Sequence, residues 1–247
     1  MKRFGFTFIM IRCLIGLDSS WAAAGTVTRG EAEETARLIG MLFSAARVVI
    51  ERNQPLINDP TKGDKGFTAA AFERELVEEF RARTNIDLEH ADSVPLPPNA
   101  SELLRGLVNA GKAVVADAQP VINQRGIGYK NFIPASFGSG AASRFSKQSS
   151  VKLKQTTLHP RNPENAPDAY EEAVLRQLMT LPSQSVTIHE AGEEDRLRVL
   201  TPIYYRKDCL TCHGQPAGQL DMSGYPKEGA DEGDLAGAIS VTIPLSK

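Results

Sequence analysis

The sequence predicts an α+β protein in which helices come first and antiparallel strands follow. Apolar residues recur at spacings of three and four between residues 31 and 53, as on one face of a helix. Runs rich in β-branched and aromatic residues at 185–189, 196–205 and 236–245 predict strands near the carboxyl end. Helices followed by strands, rather than alternating with them, are typical of the α+β class.

Length, charge and cysteine content limit the classes of function. The 247 residues include 28 Lys and Arg against 30 Asp and Glu, and a net charge of −2 with interspersed signs argues against a nucleic-acid partner. That length suffices for one large domain or two small ones with a real core. The three cysteines are too few for a disulfide framework, so each of them needs its own explanation.

Residues 1–24 have the features of a secretory signal peptide, with a basic start, an apolar stretch and small residues before the cleavage site. Arg12 interrupts the apolar stretch, which leaves it short of the roughly 18 residues of a membrane span. The alternative is an N-terminal helix that remains part of the protein. We expect export to the periplasm, no stable membrane span after cleavage, and loss of Cys13 with the signal peptide.

The helical part contains an internal repeat. An offset of 65 residues aligns residues 42–88 with 107–153 without a gap, and 14 of these 47 positions are identical, among them Gln54, Pro55 and Phe72. We interpret the repeat as a duplicated module of helix, Gln-Pro turn, glycine-containing loop, aromatic-anchored helix and short strand. The predicted organisation is a signal peptide at 1–24, a first copy at 25–106, and a second copy that continues into a C-terminal domain, together spanning 107–247.

Two elements connect this module to the predicted strands. Residues 168–179 form a short amphipathic helix, and a turn at 190–195 joins the strands at 185–189 and 196–205. The two cysteines that follow therefore lie in a loop between the second strand and the last one, at 236–245.

The chemistry is concentrated in Cys209-Leu210-Thr211-Cys212-His213. The Cys-x-x-Cys-His spacing is typical of c-type haem attachment, in which each thiol adds to a vinyl group and the histidine binds the iron. We expect one covalently attached haem c, bound by Cys209 and Cys212, with His213 as the proximal iron ligand.

Three other uses of the cysteine pair stay open. A zinc site needs further ligands at suitable spacing, which His90, His159 and His189 do not provide. A thioredoxin-like redox pair begins a helix, whereas Gly214 and Pro216 follow this pair. A simple disulfide is the plainest alternative.

The sequence does not assign the second axial ligand of the iron. Met222 is near His213 along the chain, which makes it a poor candidate for the opposite haem face. His159, His189, a lysine or water are the other candidates. An open position would suit ligand sensing, and a filled one would suit electron transfer or redox sensing.

Several stretches together resemble a family of bacterial c-type haem-binding domains with a PAS-like fold, often attached to membrane sensor kinases. The stretches are residues 54–67, 131–138, 161–168, 209–214, 224–229 and 233–241. The resemblance implies an antiparallel PAS-like sheet flanked by helices, with haem near the C-terminal loop. It also implies covalent attachment at Cys209 and Cys212 and proximal ligation by His213.

Two departures from that family bear on function. Some members use a cysteine of an N-terminal helix as distal ligand, just upstream of a motif comparable to Gln119-Pro120, and the corresponding residues 113–118 contain none. No kinase segment follows the haem motif, so we expect any signal to pass through a partner protein.

These observations predict an exported monohaem protein that senses redox state or a diatomic gas, and not an enzyme. A change in iron charge or axial ligand would shift nearby loops, including the glycine-rich residues 214–235. The alternative function is electron transfer between periplasmic proteins. The expected partners are therefore a small diatomic ligand or a redox protein.

Overall fold

The structure is a computed structural model that describes residues 27–181, 189–193 and 195–245. The predicted signal peptide at 1–24 lies outside the described residues, as does most of the strand predicted at 185–189. The described chain combines a group of helices with an antiparallel sheet, which confirms the predicted α+β class. Within these residues no helix combines the length and the apolar character needed to cross a membrane.

Helix α1 runs from Arg29 to Arg52 and begins with a reciprocal cap. The Thr28 hydroxyl accepts a hydrogen bond from the backbone N–H of Glu31, and the Glu31 carboxylate accepts one from the N–H of Thr28. Such a capping box satisfies donors that the first turn of a helix leaves unpaired. The buried side chains of α1 follow the apolar spacing of three and four, as predicted.

The helices that follow keep the offset of the sequence repeat. After α1 come α2 (Gln54–Ile57) and α3 (Ala69–Thr84), and then α4 (Ala100–Asp117), α5 (Gln119–Ile122) and α6 (Pro134–Gln148). The ends of α1 and α4 are 65 residues apart, as are the starts of α3 and α6. A duplicated module remains an interpretation of this pattern.

The loops after α2 and α5 exchange hydrogen bonds. The N–H of Lys65 donates to Asn123 Oδ1 at 3.0 Å, and the N–H of Lys130 donates to Asn58 Oδ1 at 3.1 Å. Both lysine side chains are buried, and their ammonium groups donate to backbone carbonyl groups of their own loops. Each repeat copy therefore completes the loop of the other.

The described strands form one antiparallel sheet in the order β1-β4-β3-β2. They are β1 (Lys152–Thr156), β2 (His189–Glu193), β3 (Arg196–Tyr204) and β4 (Leu235–Pro244). A register shift between Ile203 and Tyr204 marks the point where the chain leaves β3 for the cysteine segment. Helix α7 (Ala169–Leu178) forms a small apolar cluster with side chains of β3 and β4.

Two local predictions are wrong. The turn predicted at 190–195 is shorter, because residues 190–193 belong to β2 and pair with 196–199 of β3. Strand pairing therefore overrides the turn preference of Gly192 and its acidic neighbours. The strand predicted at the end of the first repeat copy is instead a 3-10 helix at Leu88–Ser93, capped by Asp87. The corresponding residues of the second copy form β1, because β4 lies beside them.

One hydrophobic core joins the helices to the sheet. It includes side chains of α1, α3, α4 and α6 and of strands β1, β3 and β4. The domain boundary predicted at residues 106–107 falls inside α4, so both repeat copies contribute to this core. Helix α1 packs against β3 and β4, next to the connection that contains the two cysteines.

Candidate functional site

A single helical turn after β3 carries the cysteines and the histidine. A 3-10 turn at Lys207–Cys209 leads into α8 (Leu210–His213). Residues at positions i, i+3 and i+4 share one face of a helix, so Cys209, Cys212 and His213 extend from the same side of this turn. Both thiols are half-buried, and they are not bonded to each other.

Two glycines shape the chain around this turn for steric reasons. A Cβ atom at Gly214 would lie 2.7 Å from the carbonyl oxygen of Leu210, so a side chain there would block the close return of the backbone. Gly229 has a φ of +76°, and a Cβ atom there would lie 2.7 Å from the Cβ of Ala217. At these two positions the close approach of neighbouring atoms explains why the residue is glycine. The glycines there need not indicate a moving loop.

The long connection between α8 and β4 folds back on the helical turn through backbone hydrogen bonds. The N–H of Ala230 donates to the carbonyl oxygen of His213 at 2.9 Å. Next to the ends of β3 and β4, the N–H of Tyr205 donates to the carbonyl oxygen of Asp234 at 2.8 Å. The carbonyl oxygen of Tyr205 accepts from the N–H of Gly233 at 2.9 Å. These bonds fix the histidine relative to the ends of β3 and β4.

The imidazole of His213 has neighbours on two sides. Its Nδ1 atom lies 2.7 Å from Glu228 Oε2, and its ring centroid lies 5.0 Å from that of Tyr205. An ionised carboxylate only accepts hydrogen bonds, so Nδ1 carries the hydrogen. The other ring nitrogen, Nε2, is then the one that can bind a metal.

Arg161 joins three parts of the site. Its guanidinium donates to Asp221 Oδ2 at 2.6 Å, to Glu228 Oε1 at 2.8 Å and to the carbonyl oxygen of Cys212 at 2.9 Å. The Asp221 side chain is fully buried and also accepts from two N–H groups of its own turn. Arg161 therefore fixes the carboxylate that binds His213.

The sequence pattern does not single out these three charged residues. Arg161 and Glu228 lie in the stretches 161–168 and 224–229, which contribute to the family resemblance, and Asp221 lies just before the second stretch. The structure shows what the stretches share, since both contact the Cys212–His213 end of the helical turn.

The charges of this cluster stabilise one another. Burial would raise the pKa of Asp221 and of Glu228, but hydrogen bonds, including those from Arg161, outweigh burial and hold both pKa values below their ordinary range. Burial would lower the pKa of Arg161, and its two carboxylate partners reverse that effect and raise the pKa. Burial also raises the pKa of Tyr205 to about 12. At neutral pH both carboxylates are therefore ionised and the phenol is protonated.

The two thiols are protonated at neutral pH, because burial raises the pKa of both Cys209 and Cys212. The Sγ atom of Cys209 lies 3.9 Å from Glu51 Oε1 of α1, and Glu51 is ion-paired with Arg206. One turn earlier in α1, the Nε atom of Arg47 is buried and has no hydrogen-bond partner among the described residues. Burial lowers the pKa of Arg47, with the charges of Cys209 and Glu51 opposing this effect.

The helix that contacts Cys209 is α1. The family resemblance related residues 113–118 of α4, just upstream of Gln119-Pro120, to the helix that carries a distal ligand in some members. The described contacts of Cys209 instead reach Glu51, just upstream of the equivalent pair Gln54-Pro55. Both copies contain the Gln-Pro pair, so the pair alone does not distinguish the two helices.

Two of the side chains considered for a second axial ligand are exposed. Met222 is 57% exposed and His159 is also exposed, whereas the side chain of His189 lies outside the described residues. The described chain has a separate group of potential metal ligands at residues 87–90, which is largely exposed and contains no cysteine. In the part of the chain that the structure describes, no group of three closely spaced potential metal ligands includes Cys209 or Cys212.

Comparison with known proteins relates nearly the whole described chain to one family. A family model described as Tll0287-like matches residues 28–244. Among solved structures, the crystal structure of the cyanobacterial haem protein Tll0287 is similar at 19% identity and a TM-score of 0.41, over 59% of this chain and 92% of that chain. A search of curated proteins gives no match.

Proposed function

The chain belongs to the Tll0287-like family, and we propose that it carries one haem c, attached at Cys209 and Cys212 and bound through its iron by His213. One observation carries this proposal. Two thiols and an imidazole share one face of a helical turn, and Glu228 binds Nδ1 so that Nε2 remains for the iron. The cyanobacterial protein Tll0287 is itself described as a haem protein.

The donor set of this site fits a covalently attached haem. Thioether formation needs two free thiols at a fixed spacing, and both cysteines are free and half-buried within one helical turn. A covalently bound haem also needs a histidine with a defined tautomer, which the contact with Glu228 provides. When bound, haem would supply a one-electron redox centre whose iron could bind a further ligand.

We propose that the biological role is sensing of redox state or of a diatomic gas. The residues around His213 offer a route to the rest of the chain, because Arg161 joins the carboxylate beside the imidazole to the buried Asp221. The proposal includes a PAS-like character of the antiparallel sheet and a duplicated origin of the helical module. Its partner would be a small diatomic ligand and, for output, a second protein.

Absorbance spectra of the oxidised, the reduced and the CO-exposed protein test this role. Sensing predicts that CO or NO binds the reduced iron, or that physiological reductants change the spectrum. A His213→Ala variant should show a different spectrum from the wild type, whereas His159→Ala, at an exposed position, should not. A spectrum that responds to none of these ligands or reductants would exclude sensing.

Electron transfer between periplasmic proteins is the second candidate. It is favoured by exposed apolar side chains on the connection that follows the cysteine segment, namely Leu220, Met222 and Tyr225. Apolar and aromatic side chains of this kind are enriched where proteins dock. This role predicts a stable six-coordinate iron that does not bind CO, and electron transfer that slows when Leu220 is replaced by aspartate.

Export belongs to the same proposal, because attachment of c-type haem takes place outside the cytoplasm. We propose that residues 1–24 direct the chain to the periplasm and are then removed, and that the mature protein has no catalytic turnover and no nucleic-acid partner. N-terminal sequencing of the periplasmic protein tests the first point, and Gly25 is the expected first residue. A chain that starts at Met1 would contradict cleavage.

A further inference from the structure

We propose that Glu228 is a positioning residue that makes His213 a strongly electron-donating ligand and thereby stabilises the oxidised state of the iron. The inference rests on the proposed haem attachment. It assigns Glu228 a role in setting the redox equilibrium, in addition to its place in the loop.

The contact between the two side chains has the length of a charge-assisted hydrogen bond. Nδ1 of His213 and Oε2 of Glu228 are 2.7 Å apart, and N–H···O bonds to an ionised carboxylate have lengths of about 2.7–2.9 Å. A metal-binding histidine that donates its second ring N–H to a carboxylate becomes a more basic ligand. A more basic Nε2 places more electron density on the iron, which favours the ferric over the ferrous ion.

Both partners are fixed by other contacts. The backbone of His213 is bonded to Ala230, and its ring lies against Tyr205. Both carboxylate oxygens of Glu228 accept hydrogen bonds from Arg161, at 2.8 and 3.0 Å. The contact between His213 and Glu228 is therefore built into the fold of the polypeptide.

The positive charge of Arg161 would by itself disfavour the oxidised iron. The net charge of the cluster therefore decides which oxidation state is stabilised. Arg161 shares its single positive charge between the carboxylates of Glu228 and Asp221. Because these two carboxylates outnumber the one guanidinium, the cluster beside His213 has a net negative charge. A net negative charge favours the more positive oxidation state of the iron.

Spectroelectrochemical titration of the haem-loaded full chain tests the inference. Glu228→Gln keeps an oxygen that can accept from Nδ1 but removes the charge. At a fixed applied potential we expect its ratio of reduced to oxidised haem to rise roughly tenfold, which corresponds to about 59 mV for one electron. Glu232→Gln is the matched control, because it removes a charge at an exposed position of the same connection. We expect a much smaller shift in the control.

The outcomes separate this inference from the proposed function. If the wild type carries haem and Glu228→Gln leaves the ratio unchanged, or shifts it no more than Glu232→Gln does, the role of Glu228 is refuted and haem attachment stands. A wild type without haem would refute both. If Glu228→Gln fails to load haem, the same titration is made on Glu228→Asp, which keeps the charge but shortens the side chain and so weakens the contact with His213. We then expect a smaller shift in the same direction, and no shift would refute the role.

Discussion

The side-chain amide of Gln54 donates a hydrogen bond of 2.8 Å to the carbonyl oxygen of Phe132, a residue of the other repeat copy. The equivalent residues Gln119 and Phe67 form the reverse bond at 2.9 Å. Each amide also donates to a carbonyl of its own preceding helix. The Gln-Pro pairs are therefore the points at which the two helical units are joined, and one of them follows the helix that contacts Cys209.

Removal of either glutamine side chain should destabilise the protein. Gln54→Ala and Gln119→Ala each leave a half-buried carbonyl group without this donor, and we expect a loss of about 1–3 kcal/mol in the free energy of unfolding. Urea unfolding curves measure the loss. The control Gln124→Ala, at an exposed position, should change stability by less than about 0.5 kcal/mol. Equal stability of Gln54→Ala and Gln124→Ala would show that the bond between the copies contributes little.

A side chain at Gly214 should disturb the helical turn that carries the thiols. The added Cβ atom of Gly214→Ala would lie 2.7 Å from the Leu210 carbonyl oxygen, and we expect a cost of about 1–3 kcal/mol and fewer chains with haem. Gly30→Ala is the control, since nothing beyond its chain neighbours and the adjacent backbone of its own helix lies within 4 Å of the added Cβ. Thermal unfolding and haem content measure both effects. Identical results for the two variants would contradict this steric role.

Asp221 should make stability depend on pH in the acid range. Although burial opposes ionisation, hydrogen bonds from Ser223 and Arg161 hold its pKa in the folded state below the unfolded value of about 3.9. The unfolded state therefore binds more protons, so this contribution is fully present above about pH 4 and is lost as pH falls towards the folded-state pKa.

Unfolding free energies at pH 5 and pH 3 test this dependence. We expect Asp221→Asn to flatten the pH dependence and to lower stability at neutral pH, because the half-buried Arg161 loses a charged partner. Asp231→Asn, at an exposed position of the same connection, should keep the wild-type slope. If Asp221→Asn has the same change in unfolding free energy between pH 5 and pH 3 as the wild type, the pKa of Asp221 is not lowered in the folded state.

Before haem is attached, the two thiols should react slowly with iodoacetamide at neutral pH. Burial raises the pKa of both thiols, and only the thiolate is the nucleophile. Alkylation should therefore accelerate as pH rises past about 8.5, the ordinary thiol pKa. Mass spectrometry of haem-free chain gives the rate at each cysteine. Alkylation at pH 7 as fast as that of free cysteine would contradict the raised pKa values.

A variant near Cys209 refines this test. Burial raises the pKa of Cys209, while the backbone of Arg206 and, to a smaller extent, its positive charge lower it. Arg206→Gln removes only the charge and should therefore slow alkylation of Cys209. Lys207→Gln removes a positive charge from the next residue, which is also exposed, and should have a smaller effect. Faster alkylation in Arg206→Gln would contradict this effect, because it would mean that the charge of Arg206 raises the pKa of Cys209.

The candidate haem segment could be identified from the sequence because its residues lie close together in the chain. Cys209, Cys212 and His213 lie within five residues of one another, and their spacing is itself the signal. Arg161 and Glu228 are 67 residues apart and are joined only by the folded chain. No local pattern states that these two charges meet beside a histidine.

The repeat explains a second difference between sequence and structure. The amphipathic pattern identified α1 and the repeat indicated α4, but both helices precede a Gln-Pro pair, so neither feature could show which helix packs beside Cys209. Likewise Leu88 and Leu153 occupy equivalent positions, and only the segment with Leu153 has β4 as a neighbour and becomes a strand. Tertiary contacts decide both cases.

The intact mass of the chain, matured in a periplasm that attaches c-type haem, tests the central proposal most directly. The wild type and Cys13→Ala should both have the mass of the polypeptide from Gly25 plus one haem, which denaturation does not remove. The double variant with Cys209→Ala and Cys212→Ala should lack that added mass. A wild-type mass equal to the bare polypeptide, or lower by the two hydrogens that a Cys209–Cys212 disulfide loses, would contradict haem attachment.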